Sequence, residues 1–171
     1  MENTFRPAWW LPGGHGMTLW PRFFRRREQL PGARTERWPT YDGDEIELLR
    51  LDAGSQAPHF LLLHGLEGSH RSHYVGPLLR SAWRAGWSAY LLLFRGCGSR
   101  PNRSLVSYHS GETGDLDMVV RRIRAENPGA AVAIAGISLG GNVLLKWLGE
   151  SGSGACGLVH AAAAVSVPYD L

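Results

Sequence analysis

Residues 131–148 constrain the fold more than any other stretch of the chain. An apolar run, Ala131 to Ile137, overlaps Gly136-Ile137-Ser138-Leu139-Gly140-Gly141, and Asn142 to Leu148 continues with helical spacing. A strand, a serine on a tight turn and a helix must therefore follow one another without a linker. A bulky side chain two residues either side of that serine would collide with the strand or the helix, and glycine removes the obstacle. The turn lifts the hydroxyl clear of the sheet and aims the following N–H groups at the same space. That arrangement suits a serine nucleophile whose attack creates an oxyanion. In a chain with 22 glycines the bare pattern is only moderately specific. Its strand-and-helix context supplies the rest.

The remaining pattern supports the same architecture. Thr35 to Tyr41 and Glu45 to Asp52 read as strands joined by a turn at Asp42-Gly43. His59 to His64 and Ser88 to Phe94 are continuous apolar runs, as expected of strands buried on both faces. Tyr74 to Ala85 carries Val75, Leu78, Leu79, Ala82 and Trp83 at helical spacing. Gly111 to Asn127 predicts a second helix with Leu116, Val119, Val120 and Ile123 inward. Asp115 and Asp117 suit the positive end of its dipole, and Pro128-Gly129 stops it. Leu158 to Val167 predicts a last strand. Alternating strands and helices predict an α/β fold, a mostly parallel sheet with flanking helices. Residues 1–40 are expected to form an N-terminal extended segment with a short helix at Pro21 to Gln29. Residues 41–171 are expected to form the α/β domain.

Composition narrows the classes further. Hydrophobic residues make up 44% of 171, too many for a disordered chain. Cys97 and Cys156 offer neither a disulfide framework nor metal-ligand spacing, so the expectation is a reducing cytoplasmic setting, no metal and no cofactor. The longest apolar stretch, Cys156 to Val167, falls short of the ~20 residues of a membrane span, and no secretory leader is expected. The net charge of +3 is uneven: residues 1–40 hold seven arginines against Glu2, Glu28 and Glu36. Arg25-Arg26-Arg27 reads as a solvated helix face, and with no recognition motif beside it no nucleic-acid partner is expected. The sharper alternative is peripheral contact of Phe23, Phe24, Arg25, Arg26 and Arg27 with an anionic membrane surface.

A serine nucleophile needs a base and an oxyanion site. His64-Gly65-Leu66-Glu67-Gly68 follows the first buried strand, where such a fold supplies one oxyanion donor. The backbone amides of Leu66 and Leu139 are the candidate donors to an oxyanion formed at Ser138. His64 closes a strand and is expected to shape the loop by hydrogen bonding, not to act as base. After Ser138 the chain offers only His160 as a histidine, with Glu150 and Asp170 as acids. His160 falls within a predicted strand and reads as a core or sheet residue. The base and its orienting acid are therefore expected to lie outside these residues. His109 and Glu112 read as loop and cap residues before a helix. Arg95 is expected to bond loop carbonyls or an acid such as Glu67, and Cys97 to pack.

Several blocks together resemble the YheT-like α/β-hydrolases, AB hydrolase family 4. They are His15 to Arg27, His64-Gly-Leu-Glu-Gly-Ser69, Phe94-Arg-Gly-Cys-Gly98, Pro101-Asn102-Arg103, Tyr108-His-Ser-Gly-Glu-Thr113 and Ser138-Leu-Gly-Gly-Asn142. The family's N-terminal Pro-His-Leu-Gln pattern reads Gly14-His15-Gly16-Met17 here. The resemblance implies an α/β-hydrolase fold and a serine ester hydrolase acting on carboxylic esters, lipid or acylglycerol esters among them. It implies an acyl-enzyme on Ser138, opened by water or by an acceptor alcohol. It also implies a catalytic Asp and His beyond Val165-Ser-Val-Pro168. The expectation is then a partial hydrolase domain, with C-terminal strands missing and no turnover by these 171 residues alone.

Overall fold

A computed structural model describes Arg6 and residues 8–11, 13–24 and 29–169. The sheet holds β1 (Arg34–Pro39), β2 (Glu45–Leu51), β3 (His59–Leu63), β4 (Ser88–Leu93), β5 (Val132–Ile137) and β6 (Ala161–Val165). Their order across the sheet is β1-β2-β4-β3-β5-β6. β1 pairs antiparallel with β2, and β2 with β4, while β4, β3, β5 and β6 run parallel. The sheet thus begins at Arg34, before residue 41. The helices are α1 (Gly13–Phe24), α2 (Val75–Arg84), α3 (Gly114–Glu126) and α4 (Leu139–Ser151).

The continuous apolar runs are explained by two-sided burial. All six residues of β4 are buried. On one face Leu61, Leu63, Tyr90, Leu92 and Ile134 pack with Leu116, Val120 and Ile123 of α3 and Val143, Leu144 and Trp147 of α4. On the other, Leu62, Ala89, Leu91 and Leu93 pack with Val75 and Leu79 of α2. Each fully buried leucine contributes roughly 1.5–3 kcal/mol of transfer free energy. His59 shares the first face, beside the Tyr90 ring at 5.7 Å. Neither of its ring nitrogens has a hydrogen-bond partner among the described residues. Burial pushes its pKa down and holds it neutral.

This topology positions the site. From β3 the chain crosses through α2 to β4 on one side, then through α3 to β5 on the other. The crevice between the carboxyl ends of β3 and β5 is a topological switch point, where open α/β sheets bind ligands. The loop after Leu63 and the turn after Ile137 both open into it.

Three elements differ from the sequence expectation. The N-terminal helix is Gly13–Phe24, not Pro21 to Gln29. Pro21 suggests a helix start, but aromatic pairs upstream decide the matter. Trp20 stacks on Phe24 four residues on (4.1 Å), and Trp10 meets the Trp20 edge (5.0 Å). Arg25, Arg26 and Arg27 lie outside the described residues. α4 starts at Leu139, three residues early, because Gly140 and Gly141 serve close contacts instead of breaking the helix. The last strand is the shorter Ala161–Val165, because a 3-10 turn at Gly152–Gly157 and its exit take up the preceding residues and Ser166 turns to φ +52°.

Candidate active site

Ser138 joins β5 to α4 at φ +53° and ψ −119°. A positive φ at a non-glycine residue costs on the order of 1–3 kcal/mol and persists only where its surroundings enforce it. Here they do. The Ser138 N–H donates to Val165 O (2.8 Å), and its carbonyl accepts from the Asn142 N–H (3.1 Å), opening α4. A Cβ on Gly136 would lie 2.4 Å from Gly140 O, and one on Gly140 would lie 2.5 Å from His64 O. The two glycines let α4 begin directly against the ends of β3 and β5.

The loop after β3 lies against this turn. A Cβ on Gly65 would be 3.2 Å from Ser138 Cβ and 3.8 Å from Ser138 Oγ. From Gly65 to Ser69, every amide but that of Leu66 has an acceptor among the described residues. The Gly65 N–H donates to the Tyr74 hydroxyl (3.0 Å), the Glu67 N–H to the Tyr108 hydroxyl (2.9 Å), and the Gly68 N–H to Gly65 O (2.9 Å). The Leu66 N–H has no acceptor among the described residues. Neither does the Leu139 N–H, because the first residue of a helix has no intrahelical acceptor. Two amides without an acceptor among the described residues thus lie in the two segments that meet at Ser138, one of them at the positive end of the α4 dipole.

His64 is fully buried below the loop. Its Nε2 accepts the Phe94 N–H (3.1 Å), so Nδ1 carries the proton and donates to Gly65 O (2.7 Å). Burial pushes its pKa down, and the ring stays neutral. One nitrogen thus holds the loop after β3 and the other the residue that follows β4, in keeping with the loop-shaping role expected from the sequence.

The other candidates fall elsewhere. His160 lies just before β6 and is exposed, not a core residue. Its Nδ1 accepts from the Val132 N–H, at the opposite end of the sheet from Ser138. His109 Nδ1 accepts from the Gly111 N–H, and Glu112 accepts from the Gly114 N–H at the start of α3. Burial raises the Glu112 pKa. Cys97 sits beside the Tyr108 hydroxyl, and burial pushes its thiol pKa up, away from thiolate reactivity. Arg95 bonds neither loop carbonyls nor Glu67. Its Nε and Nη2 donate to Asp115 (2.8 Å each) and Nη1 to Asp42 (2.6 Å). Glu67 is exposed, whereas Asp115, buried in the first turn of α3, meets the buried guanidinium. Tyr74 and Tyr108 are the contributors that sequence reasoning missed. Tyr108 stood in a recognisable block, but its hydroxyl partner is 41 residues away.

The profile of the family described as Serine aminopeptidase, S33 (Hydrolase_4) matches residues 55–171. YheT of Escherichia coli strain K12 is 38% identical over 160 residues, covering 92% of this chain and 46% of that protein. Phospholipase ABHD3 of Mus musculus is 30% identical over 161 residues, covering 90% of this chain and 39% of the enzyme. The chain therefore spans less than half the length of either relative. The structure of the Pyrococcus furiosus esterase Pf2001 superposes with a TM-score of 0.64 at 21% identity, over 80% of this chain and 51% of that one. That likeness shows the α/β-hydrolase fold. The chain belongs to the α/β-hydrolase family described as Serine aminopeptidase, S33 (Hydrolase_4), and is YheT-like.

Proposed function

We propose that this chain carries the nucleophile and the oxyanion donors of a serine hydrolase acting on carboxylic esters. The observation that supports the reading is the strained Ser138 turn against the loop after β3, with the Leu66 and Leu139 amides left without an acceptor among the described residues. In the proposed reaction Ser138 Oγ attacks the ester carbonyl carbon. The C=O electron pair moves to oxygen, and the Leu66 and Leu139 N–H groups hold the resulting oxyanion. The hydroxyl proton passes through a general base to the departing alcohol. Water then opens the acyl-enzyme, releasing the acid and restoring Ser138; an acceptor alcohol in place of water gives acyl transfer.

The test uses the full-length protein. A fluorophosphonate probe will label wild type at Ser138 and will not label Ser138→Ala. Hydrolysis of a p-nitrophenyl ester will fall by at least ~10³-fold in the variant. An aminoacyl p-nitroanilide serves as the amide counter-substrate. Faster cleavage of the anilide than of the ester, or retained ester turnover in Ser138→Ala, would overturn the reading.

Exposed aromatic residues in α1 and just before it favour lipid esters presented at a surface. Trp9 is 92% exposed, Phe23 71% and Phe24 64%. Arg6, Arg22, Arg25, Arg26 and Arg27 accompany them against a single acid, Glu2, in residues 1–27. That charge complements an anionic bilayer and disfavours a cationic partner. Each arginine near such a surface contributes about 1 kcal/mol. Phosphatidylserine vesicles should therefore co-sediment the protein, and replacing Arg25–Arg27 by glutamine should weaken binding roughly 10²-fold. Equal binding to phosphatidylcholine vesicles, or indifference to the replacement, would exclude this contact.

A further inference from the structure

Leu66 lies between two amides that are already taken. The Gly65 N–H donates to the Tyr74 hydroxyl (3.0 Å) and the Glu67 N–H to the Tyr108 hydroxyl (2.9 Å). The two phenols reach the loop from separate elements. Tyr74 caps the start of α2, and Tyr108 comes from the segment before α3. Leu66 itself is 68% exposed, so its side chain does little to anchor it. The direction of its N–H is set by the two peptide groups around it. Glu67 also holds φ +51°, a conformation that a non-glycine residue keeps only when held.

The anchors are themselves rigid. The Tyr108 ring lies parallel to Phe94 (5.2 Å, 3° between planes), and Phe94 meets the His64 ring edge-on (4.8 Å). Tyr74 packs partly buried against the Leu62 and Leu79 cluster. A phenol accepts an N–H through a lone pair and keeps its own proton. Burial pushes the Tyr108 pKa up, so the hydroxyl stays neutral and brings no competing negative charge beside an oxyanion.

We propose that Tyr74 and Tyr108 are positioning residues that fix the two peptide groups flanking Leu66, so that its N–H stays aimed at the oxyanion formed on Ser138. This rests on the ester-hydrolase reading above. Neither tyrosine touches substrate in this account; each acts through the loop backbone. The gain is preorganisation, because a donor already aimed needs no reorientation as charge develops.

The experiment compares Tyr74→Phe, Tyr108→Phe and the double variant with wild type in the full-length protein. Phenylalanine keeps the ring packing and removes only the acceptor. Each single variant should lower kcat for a p-nitrophenyl ester about tenfold with KM within twofold. The double variant should approach the roughly 10²-fold loss of a missing oxyanion donor. The inhibition constant of a trifluoromethyl ketone, whose adduct carries the oxyanion, should rise by the same factor as kcat falls. Melting temperature should not move. Tyr108→Leu, which also removes the ring, should in addition lower the melting temperature. Unchanged kcat and ketone affinity in the double variant, with Ser138→Ala inactive, would overturn the proposal and leave the ester reading standing. A loss of kcat that tracks melting temperature and not ketone affinity would overturn it as well. Activity in Ser138→Ala would instead remove the reading beneath it.

Discussion

Gly140→Ala should abolish both stable folding and reaction with a fluorophosphonate, whereas Gly149→Ala in the same helix should stabilise the protein. The two substitutions add the same methyl group to α4. At Gly140 that methyl would lie 2.5 Å from His64 O and 2.7 Å from Leu63 O. Both are backbone atoms at the end of the central strand, so neither can move aside as a side-chain tip can. The start of α4 would have to withdraw from β3, and Ser138 with it. Overpacking of this kind costs about 1–3 kcal/mol and more where the backbone is the obstacle. At Gly149 no atom lies within 4 Å of the added Cβ. There the change removes glycine's conformational freedom from an exposed helix and contributes about 0.5–1 kcal/mol. Urea unfolding of the two variants measures the contrast, and probe labelling reads the turn. A Gly140→Ala protein with wild-type stability and labelling would show that the close approach of α4 to β3 is not required.

The part of this architecture legible in the sequence is the part carried by local pattern. After His59 and Ser88, β3 and β4 are apolar because both faces are covered, so they stand out as runs. The Ser138 turn stands out because its steric demand falls on residues two away in sequence. The N-terminal helix was misplaced because Pro21 is a local signal for a helix start, while the Trp10, Trp20 and Phe24 contacts that set its span depend on side-chain geometry. The loop after β3 shows the limit more sharply. Its sequence suggests an oxyanion donor, but which amide stays open depends on Tyr74 and Tyr108, and hydroxyl positions leave no periodic trace. Arg95 is the same case: one residue could have met several acids, and the choice between Glu67 and Asp115 is made by where α3 docks.

That docking makes Arg95→Leu the other severe substitution. Arg95 is 8% exposed and Asp115 6%. The guanidinium grips Asp115 with two parallel hydrogen bonds and Asp42 with a third. It thereby ties the loop after β4 to the first turn of α3 and to the β1–β2 turn. These bonds raise the Arg95 pKa far above its ordinary value, Asp115 being the larger cause, and Arg95 holds the Asp42 carboxyl well below the usual range. Such a pair contributes little over an apolar replacement of both partners, but removing one partner strands a charge without water. Arg95→Leu should therefore cost about 3–5 kcal/mol, with Asp115 left buried and unpaired. Arg95→Leu combined with Asp115→Leu should recover part of that loss, because the unpaired Asp115 charge is then removed as well. The pH dependence has a definite sign. A carboxyl with a depressed folded pKa stabilises the protein fully above about pH 4 and loses that contribution as pH falls through the folded value. The Asp42 contribution should thus fade only in strong acid in wild type, and its acid-dependent part should be smaller in Arg95→Leu, where Thr40 still donates to the carboxylate. Urea unfolding at neutral and acidic pH reads both effects. A single-variant loss under about 1 kcal/mol, or no recovery in the double variant, would mean that water reaches Asp115 and that the three elements are held together by packing alone.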